Sequence, residues 1–239
     1  MTSSRTVAVA GIVYLVLAAF TFHATAQDRP ATRPAATTRA VTGPARWEKE
    51  ISAYELADRT NPPAKGAVVF TGASSIRMWK SLASDFPDVP VLNRGFGGSQ
   101  IADATFFAHR IIFPYEPKMI VLRAGGNDLH AGKSVDQVFS DYKAFVAKVR
   151  SKMPEVPIVY ISMSPAPARW DERDANKQLN GMIEEYSKSQ PNLKYVETYD
   201  MTITPDGKAR EELFIADKLH FNEAGYKLLA DRVRPVLPK

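Results

Sequence analysis

The chain has 239 residues, of which 45% are hydrophobic and 24% charged, and it contains no cysteine. This is the composition of an ordinary globular protein, and it excludes a largely disordered chain, a collagen-like repeat and a polytopic membrane protein. The lack of cysteine excludes a disulfide scaffold, a thiolate zinc site, an iron–sulfur cluster and a thiol nucleophile.

The net charge of +5 is concentrated near the N-terminus. Residues 1–46 contain five arginines and one acidic residue, so residues 47–239 carry a net charge of only +1. A region so close to neutral has no excess of basic side chains with which to follow a phosphate backbone. We therefore expect no nucleic-acid partner.

Residues 1–26 have the organisation of an export signal. Arg5 is followed by an apolar run over residues 7–22 and then by Ala24-Thr25-Ala26, an A-x-A cleavage pattern. The apolar run is shorter than the ~20 residues that a membrane-spanning helix needs. We predict a cleaved signal peptide and a periplasmic or secreted protein with no stable membrane insertion. The alternative is an uncleaved signal that anchors the protein to a membrane.

Residues 27–46 are rich in Pro, Ala, Thr and Arg and contain few bulky apolar side chains. Such a segment cannot bury enough apolar surface to offset the entropy that ordering costs, so we predict a flexible linker. The remaining residues, 47–239, form the predicted folded domain.

The folded region alternates between helix-like and strand-like segments. Residues 47–60 have apolar side chains at helical spacing and precede Asn61-Pro62-Pro63, so we predict an amphipathic helix. Continuous apolar runs predict five strands: Ala67–Thr71, Val89–Asn93, Met119–Arg123, Ile158–Met163 and Tyr195–Thr198. Further helices are predicted over Ile76–Asp85, Gln100–Arg110, Val135–Met153, Arg173–Ser189 and Glu223–Val236, the last capped by Asn222.

Strands and helices that alternate in this way predict an α/β fold with a parallel, doubly wound sheet. In such sheets the ligand site lies beyond the carboxyl ends of the strands. Small and polar residues follow the strands or precede the last helix in four segments: 72–75 (GASS), 93–98 (NRGFGG), 125–128 (GGND) and 217–220 (DKLH). We expect these four segments to meet at one edge of the sheet.

The four segments contain the groups that acyl transfer requires: a nucleophile, a base and a residue that orients the base. Ser74 or Ser75 can be the nucleophile, because Gly72 permits a tight turn between strand and helix. His220 can be the base, and Asp217 can hold its imidazole in one tautomer.

The same segments contain donors for the negative charge that develops on the carbonyl oxygen. These donors are the backbone amides of Gly97 and Gly98 and the side chain of Asn127. The sequence therefore predicts an active site for ester hydrolysis.

The chain resembles the SGNH hydrolases, the GDSL-type esterase/lipase superfamily. The resemblance is carried by FTGASSI (70–76), NRGFGGS (93–99), GGND (125–128) and DKLH (217–220), and it spans about residues 66–239. It implies a three-layer α/β/α sandwich with five parallel strands, flavodoxin-like in type, and an ester hydrolase without metal or organic cofactor.

Aligned with the family blocks, Ser74 is the nucleophile and Asp217 and His220 complete the triad. The resemblance implies that the oxyanion hole consists of the Ser74 amide, the Gly98 amide and Asn127, with Gly97 as the alternative to Gly98. The family usually has Asp between the glycine and the serine of the first block, and this sequence has Ala73. Because that departure affects the register, Ser75 stays open as a second nucleophile.

The substrate is expected to be a small-molecule or polysaccharide ester with a short acyl group. No long apolar insertion forms a lid in the sequence, and Arg169 and Trp170 follow the fourth strand, where they can bind a sugar. We predict hydrolysis of acetyl esters of carbohydrates. The alternatives are a short-chain lipid esterase, of the lysophospholipase or acetylhydrolase type, and a sugar O-acyltransferase that uses the same site.

Two arginines lie at predicted strand ends, next to the glycine segments. Arg94 and Arg123 are expected to have a structural role, each pairing with a carboxylate, because buried arginines usually do.

Overall fold

The computed structural model describes residues 43–239, so the predicted export signal and most of the predicted linker lie outside the described residues. The last residues of the predicted linker begin a short 3₁₀ helix, Gly43–Trp47. The buried indole of Trp47 donates a hydrogen bond to the carbonyl oxygen of Gly97 at 2.7 Å. Within the described residues, regular structure is therefore already present at Gly43, four residues before the predicted domain boundary.

Residues 43–239 form a parallel sheet of five strands in the order β2-β1-β3-β4-β5. The strands are β1 (Val68–Gly72), β2 (Val91–Gly95), β3 (Met119–Arg123), β4 (Ile158–Ile161) and β5 (Leu193–Val196). This is the flavodoxin-like strand order. In register, Gly72 is opposite Gly95 on one side and Arg123 on the other, so three strands end at the same level.

Helices cover both faces of the sheet and confirm the three-layer α/β/α fold. They are α1 (Glu48–Thr60), α2 (Ser74–Arg77), α3 (Leu82–Asp85), α4 (Ile101–Ile111), α5 (Gly126–His130), α6 (Val135–Arg150), α7 (Arg173–Lys188) and α8 (Glu223–Val233). The α1, α4, α6 and α7 helices pack on one face, and α2, α3 and α8 pack on the other. Within the described residues, no helix combines the length and the apolar character needed to cross a bilayer.

The helix predicted over Ile76–Asp85 is wrong as one continuous element. The structure has two short helices there, α2 and α3, joined by a tight turn. The indole of Trp79 and the hydroxyl of Ser81 both donate to the Asp85 carboxylate, at 2.6 and 2.7 Å. These local side-chain bonds compete with a regular helix, and they bring the Trp79 ring into the core, where it stacks on Tyr226 of α8.

The last predicted helix is confirmed at its start and shorter at its end. The Asn222 side chain accepts a hydrogen bond from the Gly225 amide at 3.1 Å, which is the predicted N-cap. The α-helix ends at Val233 and a 3₁₀ turn, Arg234–Val236, follows it, because Pro235 has no amide hydrogen to continue the helix.

Candidate active site

The turn after β1 places Ser74 at the carboxyl edge of the sheet. Gly72 has a φ of 129°, and a Cβ on it would lie 2.1 Å from the carbonyl oxygen of Arg123, so this position requires glycine. The hydroxyl of Tyr226 donates to the carbonyl oxygen of Ser75 at 3.0 Å. The turn that holds Ser74 is therefore fixed both by the neighbouring strand and by α8.

The structure brings the three predicted triad residues into one hydrogen-bonded chain. The Oγ of Ser74 lies 2.8 Å from the Nε2 of His220, and the Nδ1 of His220 lies 2.7 Å from the Oδ2 of Asp217. Ser74 and His220 are separated by 146 positions in the sequence. Of the two adjacent serines, Ser74 is the one whose hydroxyl contacts the imidazole.

Asp217 is held in a form that can only accept hydrogen bonds. Burial raises the pKa of its carboxyl, but hydrogen bonds from the backbone and imidazole of His220 and from the Leu219 amide outweigh this and lower the pKa to about 2. An ionised carboxylate has no proton to donate, so Nδ1 of the imidazole carries the hydrogen. Nε2 is then free to accept the proton of the Ser74 hydroxyl.

The glycine segment after β2 offers one backbone donor rather than two. The amide of Gly97 faces the Glu50 carboxylate at 3.5 Å. The amide of Gly98 has no acceptor among residues 43–239, and its φ of 72° places this residue in the left-handed region. The geometry thus favours Gly98 over Gly97 as an oxyanion donor. The amide of Ser74, at the start of α2, is likewise without an acceptor in the part of the chain that the structure describes.

The orientation of the Asn127 amide is set by two neighbours. Its Oδ1 accepts from Nη1 of Arg169 at 3.1 Å, and its Nδ2 donates to the carbonyl oxygen of Ser99 at 3.0 Å. A guanidinium group can only donate, so Arg169 requires the oxygen of the amide on its side. The second hydrogen on Nδ2 then remains for a ligand. Arg169, predicted to bind substrate, therefore contacts Asn127 directly.

A buried carboxylate connects the GGND segment with the segment after β2. Asp128 is fully buried and accepts hydrogen bonds from the Ile101 amide, at the start of α4, and from Lys133. Burial raises the pKa of Asp128, and the nearby ammonium of Lys133 opposes that shift. These bonds fix the first turn of α4 relative to α5. Asn127 lies in α5 and Gly98 precedes α4, so the same bonds help to position both predicted oxyanion donors.

A pocket with a volume of about 90 Å³ opens next to Ser74 and His220. Other side chains that line it include Arg123, Asn127, Met163, Ser164, Arg169, Glu172, Asn176, Phe214 and Phe221. Trp170, predicted to bind substrate, is not among the lining residues, and its ring packs against the guanidinium of Arg173 instead.

Comparison with known proteins places this geometry in a family. Residues 55–228 match the model of the GDSL-like lipase/acylhydrolase family. The chain belongs to this family. The GDSL-like lipases and acylhydrolases are within the SGNH superfamily that the sequence motifs resemble, so the protein is an ester hydrolase that acts on small-molecule esters.

Individual relatives of this GDSL-like hydrolase are distant in sequence. The chain is 23% identical over 209 residues to the human platelet-activating factor acetylhydrolase IB subunit alpha1, with 84% of this chain and 86% of the relative covered. A GDSL-like lipase from Bacteroides thetaiotaomicron superposes with a TM-score of 0.63 at 19% identity, over 81% of this chain and 96% of the other. A catalytic mutant of an acetylxylan esterase from Geobacillus stearothermophilus superposes with a TM-score of 0.57 at 14% identity, over 74% of this chain and 96% of the other.

Three residues with a part in this site were not recognised from the sequence. Tyr226 and Asp128 hold the turns that carry the predicted groups, and the hydroxyl of Ser99 lies 3.1 Å from the Gly72 carbonyl oxygen. The family block GGND includes Asp128, so its position beside Asn127 was a usable signal. Tyr226 lies in an ordinary amphipathic helix, and no local pattern distinguishes it.

Proposed function

We propose that this GDSL-like hydrolase is a serine esterase in which Ser74, His220 and Asp217 form the catalytic triad. The observation that carries the proposal is the continuous chain of hydrogen bonds from the Ser74 hydroxyl through the His220 imidazole to the Asp217 carboxylate. In that chain each group has a partner suited to its role: a hydroxyl to attack, a neutral nitrogen to accept its proton, and an ionised carboxylate to stabilise the imidazolium.

In the first half of the proposed reaction, the Ser74 oxygen attacks the ester carbonyl carbon while Nε2 of His220 takes the hydroxyl proton. The negative charge that forms on the carbonyl oxygen is stabilised by the amides of Ser74 and Gly98 and by Nδ2 of Asn127. His220 then gives its proton to the oxygen of the leaving alcohol, and the bond between that oxygen and the acyl carbon breaks. An acyl group remains esterified to Ser74.

In the second half, water repeats the attack. His220 takes a proton from the water as its oxygen adds to the acyl carbon, and the same donors stabilise the new oxyanion. The proton returns to the Ser74 oxygen as the acyl–enzyme bond breaks, which releases the carboxylic acid and restores the hydroxyl. The reaction consumes one water molecule for each ester cleaved.

The small pocket supports a short acyl group, and we propose acetyl esters of carbohydrates as the substrates. One water molecule needs about 10–15 Å³ on this scale, so about 90 Å³ corresponds to a small pocket with room for several water-sized groups. Two relatives support acetyl by their names, an acetylhydrolase and an acetylxylan esterase, and the latter also supports a carbohydrate. A short-chain lipid ester is the second candidate, supported by the GDSL-like lipase among the structural neighbours.

A panel of p-nitrophenyl esters with increasing acyl length, run beside acetylated xylan, tests the substrate proposal. We expect the acetate ester to be hydrolysed with a higher kcat/KM than the octanoate ester, because a long apolar chain would cover the polar groups of Arg123, Arg169 and Asn176 on the pocket wall without bonding to them. Acetate release from xylan is expected as well. Faster hydrolysis of octanoate would contradict the short-acyl proposal, and faster hydrolysis of a soluble short-chain lipid ester than of xylan would favour the second candidate.

The rate should depend on a single proton in the acid range. With a pKa of about 2, Asp217 stays ionised above about pH 3, so the carboxylate itself adds no pH dependence there. A protonated imidazole cannot accept the Ser74 proton, so kcat/KM should fall as the pH falls, by about tenfold per pH unit at the acid limb. Initial rates in buffers of constant ionic strength measure this. A flat profile from pH 5 to pH 8 would contradict the role of His220.

We also propose that the protein is exported. The support is the sequence of residues 1–26, with Arg5, an apolar run and an A-x-A cleavage pattern. Expression of the full chain in a Gram-negative host, with N-terminal sequencing of the periplasmic fraction, should give a mature chain that begins at Gln27. Recovery of the intact N-terminus from the membrane fraction would indicate an anchor, and recovery from the cytoplasm would contradict export.

A further inference from the structure

Two equally buried arginines lie at the carboxyl ends of β2 and β3, on either side of β1, and within residues 43–239 only one of them pairs with a carboxylate. Arg94 and Arg123 are each 5% exposed. Arg94 forms a salt bridge with Asp58 and donates to the hydroxyl of Tyr115 at 2.9 Å. The expectation that both arginines pair with a carboxylate is confirmed for Arg94 and is wrong for Arg123.

The guanidinium of Arg123 is poorly satisfied by the residues around it. Its Nη2 donates to the hydroxyl of Ser164 at 3.1 Å, while its buried Nε has no acceptor in the described part of the chain. The ring of Phe221 lies 5.1 Å from its Cζ and attracts the cation, but it carries no negative charge that could act as a counter-ion. Desolvation lowers the pKa of Arg123 to about 10, so the group is still charged at neutral pH.

A buried charge without a counter-ion is costly in a folded protein, and such a charge in a cleft suggests a ligand of opposite sign. Arg123 occupies such a cleft, because it lines the same pocket as Ser74 and His220. A ligand that fills the pocket is therefore in a position to meet the guanidinium. Arg94, which has its carboxylate, lies outside this pocket.

The rest of the pocket wall also carries polar groups, although Arg169 is bonded to Asn127 and Gly126. Arg169 also lines the pocket and forms no ion pair within the residues that the structure describes. The carboxylate on the wall, Glu172, faces His130 instead. Asn176 is 5% exposed, and its buried Oδ1 has no donor among residues 43–239. The wall therefore presents two guanidinium groups and an amide that can bond to a hydroxyl.

We propose that the pocket is built for esters that carry a carboxylate close to the scissile bond, and that Arg123 pairs with that carboxylate. This inference rests on the proposed function, since it takes Ser74 as the site of reaction. A carboxylate matches a guanidinium in charge and in geometry, and a pair of this kind is strongest where water is excluded. The carboxylate can belong to the acyl half of the ester or to the alcohol half, as in an acidic sugar.

Two matched substrate pairs separate these sources. In the acyl pair, p-nitrophenyl butyrate and mono-p-nitrophenyl succinate have four-carbon chains that differ in a terminal carboxylate. In the alcohol pair, monoacetylated glucose and monoacetylated glucuronate differ in the same way on the sugar. We expect the anionic member of at least one pair to have a kcat/KM higher by about tenfold or more. The pair that shows this difference identifies the half that carries the carboxylate.

Variants connect the preference to Arg123. Arg123→Gln removes the charge, and we expect the ratio of kcat/KM between anionic and neutral members to fall towards one. Arg173→Gln is the matched control: it removes a guanidinium that packs on Trp170 outside the pocket, and it should keep the wild-type ratio. If Arg123→Gln does not fold, competition against p-nitrophenyl acetate by wild-type enzyme decides, with succinate and glucuronate as anionic inhibitors and butanol and glucose as neutral ones.

Equal kcat/KM values within both pairs, or a preference that survives in folded Arg123→Gln, would overturn the inference and leave the esterase itself intact. Equal inhibition by anionic and neutral competitors would overturn it too. Failure of the folded wild-type protein to hydrolyse any ester, p-nitrophenyl acetate included, would instead contradict the proposed function.

Discussion

Replacing Ser74 with alanine is expected to lower kcat by about 10⁴-fold or more, since the acyl-enzyme cannot form without its hydroxyl. The substitution removes one oxygen from a half-buried position and leaves the turn between β1 and α2 with its backbone bonds. The thermal unfolding midpoint should therefore stay close to that of the wild type. Initial rates with p-nitrophenyl acetate and circular dichroism melts measure the two quantities.

Ser75→Ala is the matched control for that experiment. The residue next along the turn contributes its carbonyl oxygen to the bond with Tyr226, and alanine retains that oxygen. We expect activity within about tenfold of the wild type, because the imidazole contacts the hydroxyl of Ser74 and not that of Ser75. A fluorophosphonate probe should label the wild type and Ser75→Ala but not Ser74→Ala. The opposite pattern would move the nucleophile by one residue, and no labelling of any of them would indicate a binding protein with an inactive site.

The sheet and the ends of its strands were predictable because parallel strands buried on both faces have a simple sequence signature. Apolar runs such as Met119–Arg123 have few alternatives to a central strand, and the residues after such strands must lie at one edge. That rule brings Ser74 and Asn127 towards one another, whereas His220 precedes α8 rather than ending a strand and was placed with them by its family motif. The convergence of Ser74 and Asn127 follows from topology, which is why the sequence could anticipate it.

The supporting contacts were not predictable in the same way, because they depend on three-dimensional packing between distant segments. The contact between Tyr226 and Ser75 joins residues 151 positions apart, and that between Arg169 and Asn127 joins residues 42 apart. Neither contact has a local sequence pattern. The break between α2 and α3 likewise depends on packing. The Trp79 side chain lies in the core, where it stacks on Tyr226, and its indole donates to Asp85. Motifs therefore identify reacting groups more readily than the residues that hold them.

The lack of a carboxylate partner for Arg123 was missed for a related reason. A sequence shows which charges exist, but it does not show which of them end up desolvated and unpaired. Arg94 pairs with the level of Thr71 and Arg123 with the level of Gly72, so the two side chains lie on opposite faces of the sheet, and only Arg94 is on the face where α1 supplies Asp58. The difference between a structural arginine and a candidate ligand-binding one thus depends on the face of the sheet that each side chain occupies.

Asn127→Ala is expected to lower kcat by about 10²- to 10³-fold, the usual effect of removing one oxyanion donor. KM should change much less, because the developing charge that this amide stabilises is absent from bound substrate. The structure adds a condition: the amide works only if its nitrogen faces the reacting group. Arg169 enforces that orientation through Oδ1, at 3.1 Å. We therefore assign Arg169 as a positioning residue for Asn127.

A double-mutant cycle distinguishes this role from direct substrate binding. Arg169→Met alone should lower kcat by about tenfold, since an amide held only by its bond to the Ser99 carbonyl spends part of its time with the oxygen towards the oxyanion. In the Asn127→Ala background the same change should have almost no further effect on kcat, because no amide is left to orient. Additive losses, or a loss confined to KM, would show that Arg169 contacts the substrate itself. The cycle thus decides whether the guanidinium acts on the reaction through Asn127 or on the substrate directly.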